Sequence, residues 1–433
     1  MFSLGRSIAQ TVARGARGGL GGFGQSVRFY NSYDVLMLPP FLMPKNVAGA
    51  EAAARSMLVA AYDQGFFQRR LDPGGNPILR LVLGPEFALN GYRDGDTYRY
   101  DASRHIDRER FEAVQRVLVE YAPQIDPSVV MCPGTAAVDT GQEIEGKRVL
   151  ENRSLLVQGT NGLSEAEAQN NLVPFSKQLQ SHIDLPEGYE QAFTMRPGEG
   201  AGPLLVSIKD FTGGRAAVVA LAICLDLTAL GNVAFPIDPQ LVLNPSAGSP
   251  IDTPVGPAEI VVVDTLRAPF DSEAIVRSRV YEPKTGLAEA FPRFKTFFDG
   301  LETVVGEGTL ADVARDALGR LVLSPGEQFD TVMRFKPLNN MEIVTSKTGQ
   351  EMVKTEQRHL PDFGEHWYQK LQDQIKNPDS SISVIFPDGA TVETGSDVPP
   401  PPEPGQGIEG FDPNQEEAQV ELHRLAEAIN VGT

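Results

Sequence analysis

The sequence predicts an α/β fold on two observations. From Ser32 onward short apolar runs alternate with amphipathic stretches, and several of the runs are uncharged Val, Ile and Leu, the composition of strands covered on both faces. DVLMLPPF reads as a first strand. NVAGAEAAARSMLVAAYDQG is rich in Ala, carries apolar positions at helical spacing and ends at a Gly stop, so it reads as a helix. ILRLVLGPEF is a buried strand leading into a loop, and RERFEAVQRVLVEYAPQ is a second amphipathic helix. SVVMCPGTAA and ENRSLLVQG follow as strands, then the polar loop TNGLSEAEAQN. RAAVVALAICLD, QLVLNPSAG and AEIVVVDTL are three more strands, each ending where Gly, Pro or an acid appears.

Bulk properties exclude several classes. The 433 residues are 41% hydrophobic and 22% charged, the balance of a globular chain with one large core or two ordinary ones. A net charge of -19 argues against nucleic acid, whose binding needs clustered Lys and Arg. No apolar run has the length of a membrane span. Cys132 and Cys224 lack the spacing of a zinc or redox pair, and the five histidines show no paired spacing, so neither a metal nor another cofactor is expected.

The ends of the chain differ from its middle. Residues 1–32 contain Arg6, Arg14, Arg17 and Arg28 and no acid, which predicts a disordered basic leader; the same composition suits organelle import, the alternative to a cytoplasmic location. The main domain is expected over residues 33–300. A mixed α and β extension covers 301–394, with LADVARDALGRLVL and HWYQKLQDQIKN as helices and MEIVTS as a strand. A proline-rich linker follows over 395–414. In the last segment, 415–433, Val420, Leu422, Leu425 and Ile429 lie near one side of a helix that could dock on this chain or on a partner.

Three segments at strand ends carry the chemistry. In LVLGPEFALNGY, Glu86 lies behind a Gly84-Pro85 turn, where Phe87 and Leu89 would desolvate its carboxylate and make it a better general base. In RAAVVALAICLDLTALGN, Cys224 emerges as the chain leaves an apolar strand. In NNLVPFSKQLQSH, a strand-like run delivers Lys177 into a turn; an ammonium there can favour a thiolate and stabilise an oxyanion. Taken singly, each has a plainer reading, as a solvated Glu, a solvated Lys and a buried Cys. Cys132 in VVMCPG keeps that plainer reading, and His105 and His182 read as ordinary loop histidines.

Together, PEFALNGY, FSKQLQSH, AICLDL, VLNPSAG and SRVYEPKTG, in this order over roughly residues 33–290, resemble the nitrilase, or carbon–nitrogen hydrolase, superfamily. The resemblance implies a four-layer α-β-β-α sandwich. It also implies a homodimer or larger assembly and a small-molecule amide or nitrile substrate. Glu86, Lys177 and Cys224 would be the catalytic residues, with the backbone N–H of Leu225 as a second oxyanion donor. A second acid after the lysine is expected at Glu187, Glu190 or Glu199. The chain departs from the family where CLDLTALGN lacks the Arg and Pro-Glu common after the nucleophile, and where Gln178-Leu179 replaces His-Leu. Another register would set Asn170 or Asn171 in the lysine's place, without its charge. Acyl transfer to an amine, or a binding role on a scaffold with weak turnover, are the alternatives to amide hydrolysis.

Overall fold

The computed structural model describes residues 28–264, apart from 42, 95–96, 101, 180–183, 186–187, 198–203, 231–234 and 248–254. Beyond these it describes 279–282, 287–290, 335–337, 341–345, 351–361, 363, 365–374 and 379–386. The expected helix LADVARDALGRLVL, the proline-rich linker and the terminal helix lie outside the described residues.

Two large sheets form the body. In the first, the parallel strands Ser32–Met37, Leu79–Leu83 and Val129–Cys132 lie side by side, and Lys147–Gln158 runs antiparallel to the last. In the second, Arg215–Leu221, Leu241–Ser246 and Glu259–Asp264 are parallel neighbours, with Leu204–Asp210 antiparallel beside the first of them. Alternate residues point to opposite faces of a strand, so each sheet has an inner and an outer apolar surface. Val35, Leu81, Val130 and Leu156 of the first sheet share one buried cluster with Val206, Val219, Leu243 and Val261 of the second. The two inner faces therefore pack on each other. Each fully buried Val or Leu in that layer contributes roughly 1.5–3 kcal/mol, which makes it the main cohesive element.

Helices cover both outer faces. Val47–Asp63 starts at Asn46, whose side chain accepts from the Gly49 N–H at 2.8 Å, and buries Ala50, Ala53, Ala54, Met57 and Ala61 at helical spacing. Arg108–Tyr121 starts at Asp107, which accepts from the Arg110 N–H at 2.8 Å, and buries Phe111, Val114 and Leu118. Both pack on Leu36, Val82, Met131 and Leu155 of the first sheet. On the far side, Leu227 and Leu230 of the short helix Asp226–Leu230, with Trp367 and Leu371 of Glu365–Gln374, pack on Val218, Val242 and Ile260. The architecture is the four-layer α-β-β-α sandwich. No helix among the described residues is long and apolar enough to cross a membrane.

Two terminal segments are more tightly integrated than sequence composition suggests. Within the segment expected as a disordered leader, Arg28–Phe29 form a strand parallel to Arg215 and Ala216, and Phe29 and Tyr30 are buried. The cause is local: Phe29 meets the edge of Phe363 at 5.6 Å, and the Tyr30 hydroxyl donates to Asp210 at 3.2 Å. Residues 1–27 lie outside the described residues. The expected C-terminal extension supplies strands to both sheets. Glu351–His359 pairs antiparallel with Ser32–Met37, Met341–Thr345 extends it, and Ile382–Phe386 pairs antiparallel with Leu204–Asp210.

Candidate active site

The carboxyl ends of the parallel strands of both sheets meet at one place, and the loops leaving them carry the reactive groups. Behind Leu79–Leu83, the turn Gly84-Pro85 lies against Pro133-Gly134 with no room for a side chain: a Cβ on Gly84 would stand 2.2 Å from the Pro133 carbonyl oxygen. That close approach explains the glycine. The turn is held by the Gly84 N–H donating to Cys132 O at 2.8 Å and the Thr135 N–H donating to Pro85 O at 3.0 Å. Glu86 then reaches across the sandwich, its N–H donating to Ser246 O of the second sheet at 3.2 Å. Phe87 and Leu89 are buried around it, and Glu86 itself is 1% exposed.

Cys224 sits in a turn between Arg215–Leu221 and Asp226–Leu230, with φ of +48°, in the left-handed region that a residue with a Cβ rarely adopts. The adjacent strand clamps this turn from both sides. The Cys224 N–H donates to Pro245 O at 2.9 Å, and Asn244 Nδ2 donates to Cys224 O at 3.1 Å. Leu225, the expected oxyanion donor, follows directly and is half-buried.

Lys177 follows the strand Leu172–Ser176, which pairs antiparallel with Lys147–Gln158, and its N–H donates to Asn152 O at 2.9 Å. Its side chain is buried. The ammonium lies 2.9 Å from Glu86 Oε1 and 2.8 and 3.0 Å from the two oxygens of Asp184. Asn152 Nδ2 donates to the same Glu86 oxygen at 2.8 Å. The residues of the alternative register have other partners: Asn171 Nδ2 donates to Gln158 O and Asn170 Nδ2 to Ser380 Oγ.

The structure brings Glu86, Lys177 and Cys224 into one buried charge cluster. Lys177 is held protonated, because Glu86 and Asp184 outweigh the cost of burying it. Burial, and next the negative charge of Glu86, push the Cys224 thiol up to about 12, against the pull of Lys177. Burial therefore works against the thiolate here.

Asp184 lies against the Lys177 ammonium; Glu190 is exposed in the turn Tyr189–Gln191, and Glu187 and Glu199 lie outside the described residues. Asp184 stands seven residues after Lys177, where a search confined to glutamate overlooks it. Asp226 was also missed as a brace. It is buried behind Cys224 and accepts from the N–H groups of Gln178, at 3.1 Å, and Leu179, at 2.7 Å, so it fastens the loop after Lys177 to the turn after Cys224. The I-C-x-D pattern was its only signal. Cys132 lies in the inter-sheet core, 3.4 Å from Ser154 Oγ. His105 packs on Phe193, and burial lowers it to about 4; His182 lies outside the described residues.

No family model matches this chain, and no curated relative matches it. Among solved structures it is similar to a variant of the amidase from Nesterenkonia sp. AN1 with acrylamide added to its active-site cysteine. The identity is 16%, the TM-score 0.33, and the match covers 58% of this chain and 85% of that one. A further variant of that enzyme, described as an amidase of the nitrilase superfamily, matches with the same identity, TM-score and coverage. A third, bound to butyramide, matches at 17% identity and a TM-score of 0.32 over 58% of this chain and 84% of that one.

Proposed function

We propose that this chain is a cysteine-nucleophile hydrolase of carbon–nitrogen bonds acting on linear amides through a thioester intermediate. The observation that carries the reading is the buried cluster in which the Lys177 ammonium lies 2.9 Å from Glu86 while the charges of both act on the Cys224 thiol. Its net charge with a neutral thiol is that of two carboxylates and one ammonium. Moving the Cys224 proton to Glu86 leaves that total unchanged, so the thiolate forms without adding charge to a site of low polarity. Glu86 Oε1 already accepts from Lys177 and Asn152, which assigns the proton to Oε2.

The thiolate attacks the amide carbon, and the carbonyl oxygen takes the charge, stabilised by Lys177 and by the peptide N–H of Leu225. Glu86 returns its proton to the nitrogen, the C–N bond breaks and the amine departs. Glu86 next takes a proton from water, the resulting hydroxide adds to the thioester carbon, and the C–S bond breaks as the sulfur recovers that proton. One amide and one water become one acid and one amine. Steady-state assay of a panel of linear primary carboxamides is expected to show release of acid and ammonia by the wild type. Glu86→Gln is expected to lose about 10²–10⁴-fold in kcat. Turnover by Cys224→Ala equal to wild type would refute the assignment.

A further inference from the structure

We infer that Asn152 binds the substrate's nitrogen and selects a leaving group that carries an N–H. This deepens the amide reading above and rests on it. Asn152 belongs to the long strand Lys147–Gln158, opposite Ala137, and is 1% exposed. Its backbone is engaged, since its carbonyl accepts from the Lys177 N–H. The side-chain amide has one possible orientation. Glu86 Oε1 is a carboxylate oxygen that can only accept, so the group 2.8 Å from it must be Nδ2, and the amide oxygen is turned away from that contact. Asn152 Oδ1 is buried and has no hydrogen-bond partner among the described residues.

A buried acceptor without a donor is a disfavoured arrangement, and a ligand that brings the donor relieves it. The oxygen belongs to the same side-chain amide as the group bonded to Glu86, the residue that protonates the leaving atom in the proposed reaction, and the inference places the leaving nitrogen beside it. A carboxamide nitrogen presents N–H there. An ester's alkoxy oxygen or a nitrile's nitrogen presents only lone pairs, which repel Oδ1. A site whose polar group is left unpaired by an analogue discriminates against that analogue more strongly than an apolar pocket does. The inference therefore favours carboxamides, primary ones above all, over nitriles and esters.

The test compares a primary carboxamide with the methyl ester of the same acyl group. In Asn152→Ala both activities fall, because the donor to Glu86 is lost as well. The amide-to-ester ratio of kcat/KM is expected to fall by about fivefold or more. Asn152→Asp keeps an oxygen at the acceptor position and loses the donor to Glu86, so it is expected to hold the wild-type ratio at lower overall rates. Ester turnover reports folding, and Asn152→Val, which also lacks an acceptor, replaces the alanine variant if that one does not fold. A smaller fall in the ratio would show that Asn152 only orients Glu86 and overturns the inference. A wild type inert towards both substrates overturns the hydrolase reading itself, which separates the two failures.

Discussion

Cys132 and Cys224 are two thiols in one inter-sheet core, buried to nearly the same degree, and their surroundings differ completely. Cys132 ends a strand of the first sheet, with Ser154 3.4 Å away, and burial raises its thiol with only hydrogen bonds to temper the effect. Cys224 stands in a left-handed turn of the second sheet, and the charges of Glu86, Lys177 and Asp184 all act on it. Burial suppresses both thiolates. What distinguishes Cys224 is the set of charges around it; in the proposed reaction the Glu86 carboxylate takes its proton and the Lys177 ammonium stabilises the charge that follows.

The largest effect should appear in alkylation. A 2-haloacetamide, read by mass spectrometry of the two cysteine peptides, is expected to label Cys224 faster than Cys132 by about 10²-fold, and the gap should narrow in Glu86→Gln. Equal rates would erase the comparison. A smaller effect is expected from Asp184→Asn, which removes one of the two carboxylates on Lys177 and draws the ammonium closer to Glu86, making that base weaker. Carboxamide kcat should fall about tenfold while Cys132 labelling stays unchanged; an unaltered kcat would make Asp184 a purely structural partner.

The smallest effect concerns the brace that Cys224 has and Cys132 lacks. Burial raises the Asp226 carboxyl to about 7, despite the N–H groups of Leu179 and Gln178 and the charge of Lys177. Its unfolded value is about 3.9, so the native state holds the proton more tightly. The stability that follows is complete below about pH 4 and is lost as pH rises through about 7. Wild type should therefore lose stability relative to Asp226→Asn between those limits, measured by urea unfolding at each end. A constant difference would mean that Asp226 is ionised throughout.

Much of the layered architecture was legible because it depends on local pattern. RAAVVALAICLD and AEIVVVDTL read as doubly covered strands since no charge interrupts their apolar runs, and the Ala-rich helix showed its apolar spacing and its Gly stop, though not its Asn46 cap. Arg28–Phe29 was not legible as a strand, because two residues carry no periodicity and their pairing with Arg215 and Ala216 is nearly two hundred residues distant. The same holds for Glu351–His359, whose place beside Ser32–Met37 no local feature announces.

For the site, the sequence by itself determined which residue types stand at the strand ends: a glutamate behind Gly84-Pro85, a lysine behind Pro174-Phe175, and a cysteine behind an apolar run. Only the tertiary structure decided which of them meet, and with whom. The ammonium of Lys177 has Asp184 as a partner besides Glu86. Asn152 lies at hydrogen-bond distance from Glu86, and Asp226 ties the lysine loop to the nucleophile's turn. These contacts join loops and strands of the first sheet to one another and, through Asp226, to the second sheet. Hydrophobic periodicity determines which face of a strand is buried, and the packing of the two sheets determines what each buried polar group touches.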